Sequence, residues 1–130
     1  MQKPMQPQEI EVFYIMPAIR RELTIAMKEL GYTQKKIAQL LGVTEPAISQ
    51  YLSKKRAVNI EFSEELKEKV KEAAKNITDH FSLVEQMQHL MRLAHDERTK
   101  CGVCHKVTGT PHDCGVCYEG KEHGTKKTEV

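Results

Sequence analysis

The residues with the clearest chemical potential lie in the run CGVCHKVTGTPHDCGVC, positions 101–117. It holds every cysteine of the chain: Cys101, Cys104, Cys114 and Cys117, spaced C-x2-C-x9-C-x2-C. A CxxC pair points two sulfurs at one ion, and two pairs complete a tetrahedral S4 set. The spacing therefore predicts one shared metal centre. Zinc is the first expectation, because it would fold a segment with almost no core of its own. An iron–sulfur cluster takes the same four ligands and would make the segment a redox or oxygen sensor. A thiol–disulfide switch is the third reading. A thioredoxin-like site would need a strand before and a helix after the CxxC within an α/β fold, and neither pattern is present. His105 and His112 stand close by, but four sulfurs already complete the set, so both are read as bystanders. Three glycines and Pro111 give the segment the composition of an irregular loop.

Whatever positions these cysteines must come from the rest of the 130 residues. The chain has no Trp, 5% aromatics and 29% charged residues. That composition suits a small helical protein better than a β-sandwich. A net charge of +2 says little about partners, so the local charge pattern carries more weight. The opening MQKPMQPQEI lacks the apolar run of a signal peptide, and no stretch approaches eighteen uncharged apolar residues. Both observations predict a cytoplasmic protein with no membrane segment. Structural disulfides are rare in the cytosol, which again favours metal or redox chemistry for the thiols.

Helical periodicity runs through the chain before the cysteines. Residues 1–10 are polar and are expected to be flexible. A first helix is expected near Pro17, with Ile19, Leu23, Ala26, Met27 and Leu30 on one face and Gly31 as its stop. A second has Thr33 as N-cap, an apolar face of Ile37, Ala38, Leu40 and Leu41, and Gly42 at its end. A third is capped by Thr44, with Ala47, Ile48, Tyr51 and Leu52 inward. A fourth covers 62–76, with Ser63 as cap and Glu64 and Glu65 in the first turn, where the helix dipole favours acids. A fifth is expected from Ser82 to Asp96, with SLVE as its capping box and Leu83, Val84, Met87, Leu90, Met91 and Ala94 as its apolar face.

The second and third of these helices, TQKKIAQLLGVTEPAISQYLSKKRA (33–57), form the strongest functional signal. Two short helices joined by a three-residue turn that begins with glycine make a helix-turn-helix. Ala38 falls where the helices cross, and Gly42 falls where a positive φ costs only glycine nothing. In this motif the second helix enters the major groove. Its outward positions here are Thr44, Glu45, Pro46, Ser49, Gln50 and Ser53. Gln50 can bond adenine bidentately and Glu45 can accept from cytosine. Lys54, Lys55 and Arg56 suit phosphates, as do Gln34 and Lys35 at the start of the preceding helix. Residues 32–57 hold five Lys/Arg against one acid, a local +4 on a nearly neutral chain.

On these residues, positions 17–76 resemble the lambda repressor/Cro-like helix-turn-helix family of the xenobiotic-response-element type. The likeness rests on Gln34, Ala38, Gly42, Ile48, Ser49 and the basic SKKR. The added four-cysteine segment is similar to small predicted regulators in archaea. The resemblance implies a four- or five-helix domain that binds double-stranded DNA as a homodimer.

The expected architecture is all-α: a four- to five-helix lambda-repressor-like domain, then a small irregular CxxC…CxxC metal-binding segment. The expected organisation is a flexible N-terminus (1–10), a DNA-binding domain (11–78), a linking or dimerisation helix (79–98), the four-cysteine segment (99–118) and a disordered tail (119–130). The expected function is a sequence-specific transcription regulator with a zinc centre. Its alternatives are the same domain sensing through an iron–sulfur cluster or thiol switch, and an adaptor that binds protein rather than DNA. No nucleophile–base arrangement, phosphate loop or small-molecule site is evident, so no enzyme is expected.

Overall fold

Gln6 starts the first helix in this computed structural model, which describes residues 4–53, 60–111 and 114–119. Its backbone N–H donates to Glu9 Oε1 at 2.7 Å, and Pro7 takes the first helical position. Helix α1 (Pro7–Ile10) runs through a π-helical turn (Glu11–Ile15) directly into α2 (Met16–Glu29). The helix thus begins ten residues before Pro17, inside a stretch whose polarity suggested flexibility. Burial of Ile10 and Ile15 explains the difference, since a few well-spaced apolar residues are enough to dock a polar segment. Pro17 sits inside the continuous helix instead of starting it. A proline cannot bond the carbonyl four residues back and crowds it. That carbonyl belongs to Phe13, within the wider π turn, which gives it room.

Helix α2 is the spine of the fold. Ile19, Leu23, Thr24 and Met27 are fully buried on it, and the Thr24 hydroxyl is satisfied by donating to the Arg20 carbonyl at 2.8 Å. Helices α3 (Gln34–Leu41), α4 (Glu45–Ser53) and α5 (Glu64–Asn76) pack on this spine. Thr33 and Ser63 cap α3 and α5 as expected, accepting from the backbone N–H groups of Lys36 and Leu66. Leu66, Val70, Ala73 and Ala74 form the buried stripe of α5.

Helix α6 (His80–Asp96) starts two residues earlier than SLVE indicated. Asp79 is the cap: its Oδ1 accepts from Ser82 N at 2.9 Å, while the Ser82 hydroxyl accepts from Asp79 N at 3.0 Å. Ser82 is therefore the far corner of the capping box, not its start. Donation from the Ser82 backbone N–H, then from its hydroxyl, holds the Asp79 carboxyl below its ordinary value. Met87, Leu90 and Ala94 are buried as the periodicity predicts, but Val84 and, one turn before it, Phe81 stay exposed. Helix α6 packs on α2, α3 and α5, so it belongs to the domain core instead of merely leading out of it.

The cysteine segment is more regular than its composition suggested. The first CGVC lies inside α7 (Thr99–Thr108), and the second leads into the short α8 (Val116–Glu119). Gly102 is mid-helix and unstrained, while Gly109 closes α7 with φ +79°. Tertiary contact outweighs weak local propensity here. Val103 and Lys100 are buried, and α7 packs against α1, the π turn and α6. The described residues are all-α with no strand. The tail from 120 onward, Lys54–Asn59 and His112–Asp113 lie outside the described residues.

Candidate nucleic-acid interface and cysteine cavity

The turn between α3 and α4 has the geometry the sequence demands. Gly42 takes φ +69° and ψ +32°, and Val43 N donates back to the Ala38 carbonyl at 3.1 Å. A Cβ at Gly42 would meet nothing within 4 Å, so only backbone strain opposes a side chain there. Gly42→Ala is therefore expected to cost about 1–2 kcal/mol, read as a lower urea midpoint with unchanged m-value. Ala38, Ile37, Leu41 and Ile48 are buried in the wedge between the two helices, with Val43 and Tyr51 packed against them.

The residues expected to read DNA lie on the outward side of α4 and at the start of α3. Thr44, Glu45, Pro46, Ser49, Gln50 and Ser53 are all exposed, as is Lys35. Thr44 Oγ1 accepts from Ala47 N at 3.2 Å and so fixes the start of the helix. The Ser53 hydroxyl donates to the Ser49 carbonyl at 2.8 Å. Half-buried Gln34 accepts from the Ser49 hydroxyl at 2.9 Å. This bond ties the start of α3 to the outer face of α4. Sequence periodicity places both residues on the outer surface but does not show that they pair. Lys36, outside the expected set, is exposed beside Lys35 and adds to the same positive edge. Lys54, Lys55 and Arg56 lie outside the described residues.

Residues 23–69 match the model of the HTH_3 family, described as helix-turn-helix. This stretch is a lambda repressor/Cro-like helix-turn-helix domain. The match begins within α2 and ends within α5, so the helix-turn-helix domain includes both helices that frame the motif. Helices α6, α7 and α8 lie beyond it. No curated protein and no solved structure matches the chain. The comparison thus reaches the helix-turn-helix family, but not the narrower xenobiotic-response-element type or the archaeal regulators. The family is one of DNA-binding regulators, not of enzymes. No helix among the described residues is long and apolar enough to cross a membrane.

Outside the helix-turn-helix domain, all four cysteines line one cavity of about 170 Å³. Lys100, Thr110, Pro111, Val116, Met5 and Pro7 complete its wall. Cys101 and Cys104 are three residues apart on α7 and so share a face. The Cys104 thiol donates to Thr110 Oγ1 at 3.4 Å, and Thr108 Oγ1 lies 3.5 Å from the same sulfur. His105 Nδ1 is 2.7 Å from the Thr110 carbonyl, which can only accept, so this histidine braces the loop beside the cavity. His112 lies outside the described residues.

All four cysteines are free and half-buried. Burial pushes the Cys117 thiol up, the buried Lys100 ammonium opposes this, and the other three sulfurs push it further up. In kind, four thiols on one small cavity fit a thiophilic ion. In placement, no group of three or more His, Cys, Asp or Glu side chains among the described residues is arranged to hold one. The thiols face one space without closing on one point.

Two contacts near the cavity have no counterpart in the sequence reading. Tyr118 stacks on His95 with ring centroids 4.3 Å apart, lies under Arg98 at 4.2 Å, and donates its hydroxyl to the His95 carbonyl. It clasps the second CGVC onto the end of α6. Burial, then the Cys101 charge, raise the Tyr118 hydroxyl far above its ordinary value, so it remains a donor. The other contact is an ion pair between buried Lys100 Nζ and half-buried Glu11 Oε2 at 3.3 Å. No sequence spacing signals either contact, because the partners lie far apart in the chain.

Proposed function

We propose that this chain is a sequence-specific DNA-binding transcription regulator that reads paired half-sites as a homodimer. The observation that carries this reading is the helix-turn-helix domain, whose α4 presents an exposed polar face, with Lys35 and Lys36 exposed on α3. Such a domain docks α4 in the major groove, with Gln50, Glu45 and Ser49 at base edges and Lys35 and Gln34 at phosphates. Lys54, Lys55 and Arg56 extend the phosphate contact from the segment just after α4. Half-sites one DNA turn apart call for two copies. Selection from a randomised duplex pool tests this. An enriched two-fold symmetric motif is expected, and a pool that stays random would refute it.

The four cysteines form a thiophilic metal centre in this reading, with zinc as the ion. Cys101, Cys104, Cys114 and Cys117 would hold it, and it would cross-link α7 to the second CGVC. The cavity that all four cysteines share supports this reading. Reduced protein purified without oxygen is expected to bind one zinc per chain and to remain colourless. The double variant C104S/C117S is expected to lose that binding by at least about a hundredfold, since the ligand set falls from four sulfurs to two. A brown protein with charge-transfer absorption would replace zinc by an iron–sulfur cluster. No metal of either kind in the reduced protein would remove the centre.

A further inference from the structure

Two hydroxyl protons on the outward face of α4 are already committed within the protein. Ser49 donates its proton to Gln34 Oε1 at 2.9 Å, from one motif helix to the other. Ser53, one turn further on, donates its proton to the Ser49 carbonyl at 2.8 Å. A serine oxygen that has given its one proton keeps two lone pairs, so toward a ligand it can only accept. The Glu45 carboxylate, one turn before Ser49, has no proton to give. Glu45, Ser49 and Ser53 fall at i, i+4 and i+8 on α4, and all three are exposed. They form one row of acceptors. Thr44 differs: its oxygen accepts from Ala47 N–H, so its proton stays available for a phosphate oxygen.

In the major groove an acceptor meets two kinds of group. Adenine N6 and cytosine N4 are amines and donate, while guanine O6, guanine N7 and thymine O4 accept. An oxygen without a proton bonds the amines and leaves a keto oxygen unpaired beside it, which costs affinity. Each base pair carries one such amine, on A in A·T and on C in G·C. The row therefore does not weigh A·T against G·C; it reads which strand carries the amine. To bond a keto oxygen, Ser49 would have to withdraw its proton from Gln34, a half-buried residue whose Oε1 would then lose its donor. Gln34 thus sets the polarity of Ser49, and its own NH2 remains to donate to a phosphate.

We propose that α4 selects amino bases, adenine or cytosine, opposite Glu45 and Ser49, and that Gln34 enforces this choice at Ser49 by holding its hydroxyl proton. This rests on the reading above that α4 lies in the major groove. Gln34 touches no base in this role; it is a positioning residue that acts through Ser49.

The test uses the full-length protein and a randomised duplex pool. In Ser49→Ala one position of the enriched motif loses its preference, and that position faces Ser49. There the wild type is expected to favour adenine or cytosine over guanine or thymine by at least about threefold, the scale of one net hydrogen bond. A base lacking the exocyclic amine (purine for adenine, 2-pyrimidinone for cytosine) should weaken wild-type binding by a similar factor and leave Ser49→Ala indifferent. Gln34→Leu frees the serine proton, and the preference should fall below about 1.5-fold, because a free hydroxyl both donates and accepts. Gln34→Glu keeps an acceptor in place. Its charge weakens binding to all duplexes, but the amino preference persists. A merely structural role for Gln34 would lower affinity in both variants without separating them in base preference. Guanine or thymine preferred opposite Ser49, or no position altered in Ser49→Ala, would overturn the inference and leave DNA reading by α4 standing. Equal amino preference in wild type and Gln34→Leu would overturn the part assigned to Gln34. A pool that stays random would overturn the DNA reading and this inference together.

Discussion

Leu23→Ala is expected to destabilise the protein by about 2–5 kcal/mol, the usual range for a large-to-small change in a packed core. Leu23 is fully buried on α2, the helix on which α3, α4 and α5 all pack. A void there loosens the contact that fixes α4 relative to the rest of the domain. Small domains have only about 5–15 kcal/mol of net stability, so the change takes a large share of it. Urea denaturation followed by circular dichroism reads the effect. Leu30→Ala is the control, because Leu30 is 40% exposed at the end of the same helix and should change stability by about 0.5 kcal/mol or less. Equal losses in the two variants would mean that α2 is not the spine of the fold.

Gln50→Ala is expected to act on binding and not on folding. Gln50 is exposed on α4, and its side chain is long enough for a bidentate bond to adenine. Loss of such a bond costs about 1–3 kcal/mol, or roughly 5–150-fold in affinity for the selected duplex. Affinity for unrelated DNA should hardly change, so the ratio of the two affinities falls. Lys35→Ala should act in the opposite manner. It weakens binding to all duplexes alike and lowers the slope of log affinity against log salt by about one. An unchanged preference in Gln50→Ala would remove this residue from base recognition.

Legibility in the sequence followed the range of the interaction. The helix-turn-helix domain was readable because its constraints are local: caps at Thr33, Thr44 and Ser63, and a left-handed glycine at 42. Each is decided within a few residues. The first helix was not readable before Pro17, because its anchors, Ile10 and Ile15, are buried by distant parts of the chain. The helix over the first CGVC was hidden for the same reason. Gly102 and the cysteines argue for a loop locally, while burial of Val103 and Lys100 decides for a helix. Phe81 and Val84 show the converse. Val84 fits the apolar period of α6, yet both remain exposed because the helix turns that edge outward. At the candidate sites, residue types and spacing revealed which side chains to watch. Their pairing, Ser49 with Gln34 and Glu11 with Lys100, emerged only from the fold.

The central claim, that α4 of the helix-turn-helix domain reads DNA sequence, is tested most directly by one titration. The protein is titrated against its selected duplex and a scrambled duplex of equal length and composition, at several salt concentrations. The account predicts affinity for the selected duplex at least about a thousandfold above the scrambled one near physiological salt, with both falling steeply as salt rises. Equal affinity for the two duplexes, or binding that ignores salt, would contradict it.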